Sequence, residues 1–206
     1  AVDASTFALY RFDEVSLGVS SYMSASDEKG INNLTQATAG SRPAIRGIPS
    51  LSGTKYSRRF DGTDDNLNCP INTATYGPLT SSNYTWEAFI KVDGLAAARS
   101  IVTIGAVGET EATNYLFRWN VATTGFIDIF WETGSGTNVS FTQSSGTPVP
   151  IGRWCHAAVV VSGSGATDLI LVYLDGVLQQ TSTGLTRATG GTSDTVYVGR
   201  NGPNTD

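Results

Sequence analysis

The sequence predicts an all-β protein, an antiparallel β-sandwich or jelly roll, on three observations. Apolar and polar residues alternate over many short runs, and no stretch repeats at helical spacing. The runs are punctuated by Gly, Asn, Asp, Ser and Pro clusters, including Asp61-Gly62, Asp93-Gly94 and Asp175-Gly176. Asp-Gly supplies the positive φ angles that a tight hairpin turn needs. Strand-like runs also follow one another without intervening helical segments, which argues against βα architectures. Composition agrees, with 23 Gly in 206 residues and only 15% charged. A single domain of this length buries roughly 70% of the surface its unfolded chain exposes, so it needs no disulfide framework.

Each element follows from its local pattern. Thr6 to Phe12 alternates and reads as a strand; from Asp13 to Ser57 the alternation dissolves, which predicts a long connection. Tyr56 to Gly62 is a strand running into a turn, and Asn66 to Cys69 a short strand. Tyr84 to Val92 is the cleanest: Tyr84, Trp86, Ala88, Ile90 and Val92 share one face, and Thr85, Glu87, Phe89 and Lys91 the other. Ser100 to Ile104, Tyr115 to Asn120, Phe126 to Glu132 and Asn138 to Phe141 continue the series. Trp154 to Val161, Leu169 to Leu174 and the strand opening at Val177-Leu178 form a meander whose last turn is Asp175-Gly176. Thr195 to Gly199 is the last recognisable strand. Trp154 and Trp86 are expected in the core.

The charge balance narrows the partners. A net charge of −5 and a pI near 4.8 argue against nucleic acid, which selects basic patches, and no Lys/Arg run is present to hold an anionic membrane. No apolar run is long enough for a transmembrane helix. The chain begins at Ala1, which suggests a processed form or a piece of a longer protein. Three sequons, at Asn33, Asn83 and Asn138, matter only in a eukaryotic secretory pathway. Spacing alone does not decide whether Cys69 and Cys155 are bonded, because a bridge depends on Cα separation.

The run Trp154 to Val160, followed after a short gap by Leu169 to Val177, resembles the penultimate hairpin region of laminin G-like domains, within the concanavalin A-like lectin/glucanase jelly rolls. Ala8 to Glu14 is similar to that family's first strand, Arg58 to Asp65 to its F-D-G-x-D-D element, and Thr195 to Gly202 to the strand near its end. The resemblance spans nearly the whole chain and implies one jelly-roll domain over residues 1–206. Relatives close with a further strand of the type G-x-I-D-E-V-R-I beside the first; none follows here before Asp206. The expectation is a longer chain, or a strand donated by a neighbouring subunit to cover Thr6–Phe12.

The resemblance also supplies a test for catalysis. Glucanases of this superfamily carry paired carboxylates as E-x-D-x-x-E, the pair that glycoside hydrolysis requires. Asp128 is present, but Phe126 stands at the first Glu position and Glu132 lies one step beyond the second. His156, the single histidine, sits within a strand with Cys155 pointing to the opposite face, so no Ser-His-Asp, Cys-His or zinc set is expected. Asp61, Asp64, Asp65 and Asn66 crowd one loop and form a candidate Ca²⁺ site, the alternative being ordinary turn chemistry.

The binding candidate is the hairpin around Val121 to Gly125. Pairing Asn120 with Phe126 sets Arg118 opposite Asp128 and Leu116 opposite Phe130. Arg118, Asn120, Phe126, Asp128, Phe130 and Glu132 then form a solvent-accessible concave face, while Tyr115, Phe117, Trp119, Ile127, Ile129 and Trp131 turn inward. Aromatic rings among charges suit sugar recognition; the alternative is an Arg–Asp cross-strand pair with partly buried rings. The expected function is a non-catalytic binding or adhesion module recognising surface carbohydrate or a protein surface, outside a cell or on a virion. The competing expectation is a structural module of a phage capsid decoration, tail fibre or other large extracellular assembly.

Overall fold

The computed structural model describes residues 23–25, 34–36, 44–48, 55–61, 65–71, 83–97, 99–105, 115–132, 138–163, 168–185 and 194–199. Within them all regular structure is strand. Eight strands, β1 (Met23–Ala25), β2 (Leu34–Gln36), β5 (Leu67–Ile71), β14 (Asp194–Val198), β7 (Arg99–Gly105), β8 (Tyr115–Val121), β9 (Ile127–Glu132) and β10 (Asn138–Thr142), lie in that order in one sheet. A second sheet has the order β13 (Val177–Leu185), β12 (Asp168–Leu174), β11 (Trp154–Ser162) and β6 (Asn83–Lys91). A separate hairpin joins β3 (Ala44–Ile48) and β4 (Lys55–Arg59). Every ladder is antiparallel.

One apolar core fills the space between the two main sheets. The large sheet contributes Leu67, Ile104, Trp119, Ile127 and Ile129, all fully buried, and the small sheet Val159, Val161, Ile170 and Val172. Strand alternation selects them: on β11, Cys155, Ala157, Val159 and Val161 face inward. On β6, Tyr84, Trp86, Ala88 and Ile90 pack against this core while Thr85, Glu87, Phe89 and Lys91 face out, as the sequence predicts.

Two expectations are corrected. The stretch 13–57 is not one structureless connection, since β1, β2 and β3 lie within it. Three-residue strands are too short to show a period of two, and Pro43, Gly47 and Pro49 mask β3. Trp154 is a half-buried outer-face residue rather than a core one. It has the parity of His156, opposite Lys91, because the inward set begins at Cys155. Thr6–Phe12 lies outside the described residues.

The turns obey their residues. Asp175 and Gly176 adopt φ of 49° and 78°, the two left-handed positions of a type I′ turn. The Asp175 carboxylate accepts the His156 amide at 2.9 Å and Arg153 Nη2 at 3.1 Å, and these donors hold its carboxyl below the ordinary carboxylate range. A depressed folded pKa contributes stability above the unfolded pKa that is lost as pH falls through the folded value. Asn tolerates the left-handed turn and keeps an acceptor oxygen, so Asp175→Asn removes mainly the charge. This variant is expected to melt slightly below the parent at neutral pH, because the Arg153 pair is exposed. The gap should close as the pH falls below the carboxylate range. Thermal melts over that range check it; a gap constant with pH would show that charge is not the cause.

A β-bulge ties the sheets together. β12 and β13 pair Val172 with Gln180 but Tyr173 with Leu178, leaving Gln179 over. In a regular strand neighbouring side chains point to opposite faces; the extra residue re-aims them, and both amides reach the segment after β10. Gln180 Oε1 accepts Ser144 N at 2.6 Å and Ser145 N at 3.0 Å, and Gln179 Oε1 accepts Thr147 N at 2.8 Å. Gly146, at φ +80°, lies against the Gln179 backbone, where a side chain has no room. Behind this strap, buried Gln143 bonds the large sheet.

Candidate functional site

The hairpin between β8 and β9 places the predicted residues. Gly125 N donates to Ala122 O at 2.8 Å and Ala122 N to Phe126 O at 2.8 Å, with Gly125 at φ +85°. Thr123 and Thr124 thus occupy the centre of a turn followed by a left-handed glycine, a three-residue hairpin connection. Val121 consequently faces Ile127 and Asn120 faces Asp128. The expected pairing of Asn120 with Phe126 is therefore displaced by two residues, and Arg118 lies opposite Phe130 rather than Asp128. A two-residue displacement preserves parity, so Trp119, Ile127 and Ile129 remain inward and fully buried as expected.

Register carries the outer face across neighbouring strands. One row runs Asn68, Tyr197, Thr103, Arg118, Phe130, Ser140 from β5 to β10; the next runs Ser100, Asn120, Asp128, Thr142 from β7 to β10. The face is mostly hydroxyl and amide, and it is not uniformly open. Thr103, Asn120 and Tyr197 are buried, which corrects the expectation that Asn120 stands on an accessible surface. Thr103 Oγ1 and Ser100 Oγ bond at 2.9 Å. Toward the sheet edge, Phe126, Asp128 and Phe130 are half-buried, and Ser140 and Thr142 are exposed. The side chains of Arg118 and Glu132 lie outside the described residues.

Asp128 presents one shielded carboxylate oxygen. Its Oδ1 is shielded from solvent and, among the described residues, meets no hydrogen-bond donor. The sequence missed Ser140 and Thr142, which join this site from β10. Their signal was available, since they alternate with Val139 and Phe141 and so share a face.

The acidic loop before β5 is partly described. Asp65 Oδ2 accepts Asp61 N at 2.9 Å, and Asn66 Oδ1 accepts Asn68 Nδ2 at 3.3 Å. Asp65 and Asn66 are buried, Asp61 is exposed, and Asp64 lies outside the described residues. Among the described residues no three His, Cys, Asp or Glu side chains converge as a metal site. Cys69 and Cys155 are both buried and form no disulfide, and burial, with the Asp175 charge adding to it, raises the Cys155 thiol pKa. His156 Nε2 lies 3.4 Å from Glu87 Oε2, and its ring packs on Phe89 with centroids 5.0 Å apart. It faces away from Cys155, on the outside of the small sheet.

The fold is similar to that of Trypanosoma rangeli sialidase, with a TM-score of 0.58 and 12% identity over 97% of this chain and 27% of that one. It is similar to the botulinum neurotoxin serotype C1 binding domain at a TM-score of 0.54 and 8% identity, over 93% of this chain and 42% of that one. The binding domain of botulinum neurotoxin DC, solved in complex with rat synaptotagmin II, superposes at 0.51 with 8% identity, over 94% of this chain and 43% of that one. These are likenesses of fold, and the chain spans less than half the length of each. No curated protein matches the sequence. The Laminin_G_3 family model, described as the concanavalin A-like lectin/glucanases superfamily, matches residues 61–206, well over half of the chain. With its two antiparallel sheets around one core, this chain belongs to the concanavalin A-like lectin/glucanases superfamily.

Proposed function

We propose that this chain is a non-catalytic binding module, acting outside a cell or on a virion surface, that recognises carbohydrate at the β9–β10 end of the large sheet's outer face. The fold itself does not choose between binding and catalysis. The carrying observation is the Asp128 carboxylate, whose Oδ1 is already desolvated and has no donor among the described residues. A buried acceptor without a partner is costly; the Asp128 side chain is only half-buried, so a turn of its carboxylate toward the surface lets a ligand hydroxyl meet Oδ1 and recover that cost. Phe126 and Phe130 offer half-buried rings to the apolar face of a sugar, and Ser140 and Thr142 offer exposed hydroxyls. No hydrolytic step is assigned, because Phe126 occupies the place of the first carboxylate of a glucanase pair.

Glycan-array screening of the chain, followed by calorimetry, tests this reading. Asp128→Asn is expected to weaken binding about 10-fold or more, the worth of one charge-assisted hydrogen bond. A parent chain that binds no glycan sinks the carbohydrate assignment. Turnover of β-glucans or galactans that disappears in Asp128→Asn makes the protein an enzyme instead.

A second reading, a structural module of a virion or other large extracellular assembly, draws support from the opposite sheet. Phe89 and Leu178 are exposed on its outer face, with Ile151 exposed just before β11, and apolar surface of this kind marks contact between macromolecules.

A further inference from the structure

The four large apolar side chains exposed among the described residues are not scattered. Phe89 (59% exposed) pairs across strands with His156, and Ile151 (59%) bridges to Val92 just before β11. Val177 (62%) and Leu178 (48%) open β13 directly after the Asp175–Gly176 turn; Leu178, opposite Tyr173, shares the outer face with Phe89, while Val177, opposite inward Leu174, has the other parity. That turn is held against the same His156, whose carbonyl accepts Asp175 N at 2.7 Å. Half-buried Tyr173, opposite Leu178, and Trp154, opposite Lys91, extend the surface between them. All lie at one end of the small sheet, remote from the polar face of the large one. An aromatic-rich apolar centre with a polar rim is the anatomy of a protein interface.

The rim identifies the occupant. Among the described residues its paired cations are Arg59, Lys91 and Arg153 and its paired carboxylates are Glu87, Asp93 and Asp175, three of each. Arg59 and Lys91 lie 3.4 and 3.7 Å from Asp93, Arg153 lies 3.1 Å from Asp175, and Glu87 faces His156 at 3.4 Å. Counted without His156, these six charges sum to zero, on a chain whose net charge is −5. Two-fold association sets one patch against its own copy, so a rim of either net sign would repel itself, whereas a neutral rim of mixed sign does not. We propose that this end of the small sheet is a homodimer interface, its occupant a second copy of the same chain packed face to face. The inference does not rest on the carbohydrate reading.

Sedimentation velocity on the full chain tests it. The mass is expected to rise from 21.7 kDa toward twice that value as concentration increases through the micromolar range. Phe89→Asp and Leu178→Asp are each expected to weaken association at least about 30-fold, as truncation of a central interface residue does. Both side chains are exposed, so the fold should survive; thermal melts check this, and Phe89→Ser or Leu178→Ser serves if either Asp variant fails to fold. Thr123→Asp, exposed on a turn of the opposite sheet, adds the same charge and should leave association unchanged. A parent that stays monomeric up to about 1 mM overturns the proposal, as does a dimer that tolerates all the Asp variants equally. A monomeric parent whose glycan binding is abolished by Phe89→Asp would make this face a sugar platform and also defeat it.

Discussion

Trp119→Ala is expected to lower the free energy of unfolding by about 3–5 kcal/mol, the cost of removing a buried large aromatic. Trp119 is fully buried on β8, in the inward row Val102, Trp119, Ile129 and Phe141 that crosses four adjacent strands. Ladder partners on both sides hold β8 in place, so the surrounding backbone has little freedom to collapse into the space. The transfer and cavity costs therefore add rather than offset. Chemical denaturation measures the effect directly. A midpoint unchanged from the parent would mean that the indole is not between the sheets and that the register of β8 on β9 is wrong. Trp154→Ala, on the outer face, should cost much less under the same assay.

Gln143→Leu should be the largest effect of a polar substitution, about 2–4 kcal/mol. The side chain is fully buried. Its Oε1 accepts Ile127 N at 3.3 Å, and its Nε2 donates to Ser145 O at 2.8 Å and Thr147 O at 3.3 Å. Leucine matches its size and keeps the volume filled, so the loss is one of hydrogen bonding. Ser145 and Thr147 lie in an exposed segment where water can replace the donor; the Ile127 amide is interior and would pay the desolvation penalty in full. Denaturation of the variant, with hydrogen exchange at Ile127 as a local readout, checks both parts. An Ile127 amide that stays fully protected in Gln143→Leu would show that the side chain is not its partner.

Much of the fold is written locally in the sequence. The alternation of Tyr84 to Val92 and the Asp175-Gly176 turn were legible because period and turn chemistry belong to neighbouring residues. β1 and β2 were not, since three residues carry no period, and Trp154 was misplaced because aromatic character outweighed the phase set by Cys155, Ala157 and Val159. The candidate site was half legible. Parity assigned Asp128 and Phe130 to the outer face, but the turn at Ala122–Gly125 moved their partners by two residues. The burial of Asn120 depends on the tertiary surroundings of the sheet, which no local pattern records. The strap of Gln179 and Gln180 on Ser144, Ser145 and Thr147 was illegible for a related reason: its partners are distant in sequence, and amide side chains have no pairing code.

The two cysteines have a practical consequence for probing this molecule. Cys69 faces the interior from the large sheet and Cys155 from the small one, neither is in a disulfide, and the sequence contains no other cysteine. Thiolate, the form that reacts with labelling reagents, is further suppressed at Cys155 by burial. The native surface therefore presents no competing sulfur to a maleimide or spin label. A single cysteine introduced on either sheet becomes a unique attachment point, without first replacing the native pair. Nor does reductant remove a cross-link between these two residues, so labelled samples can be kept reduced while distances are measured.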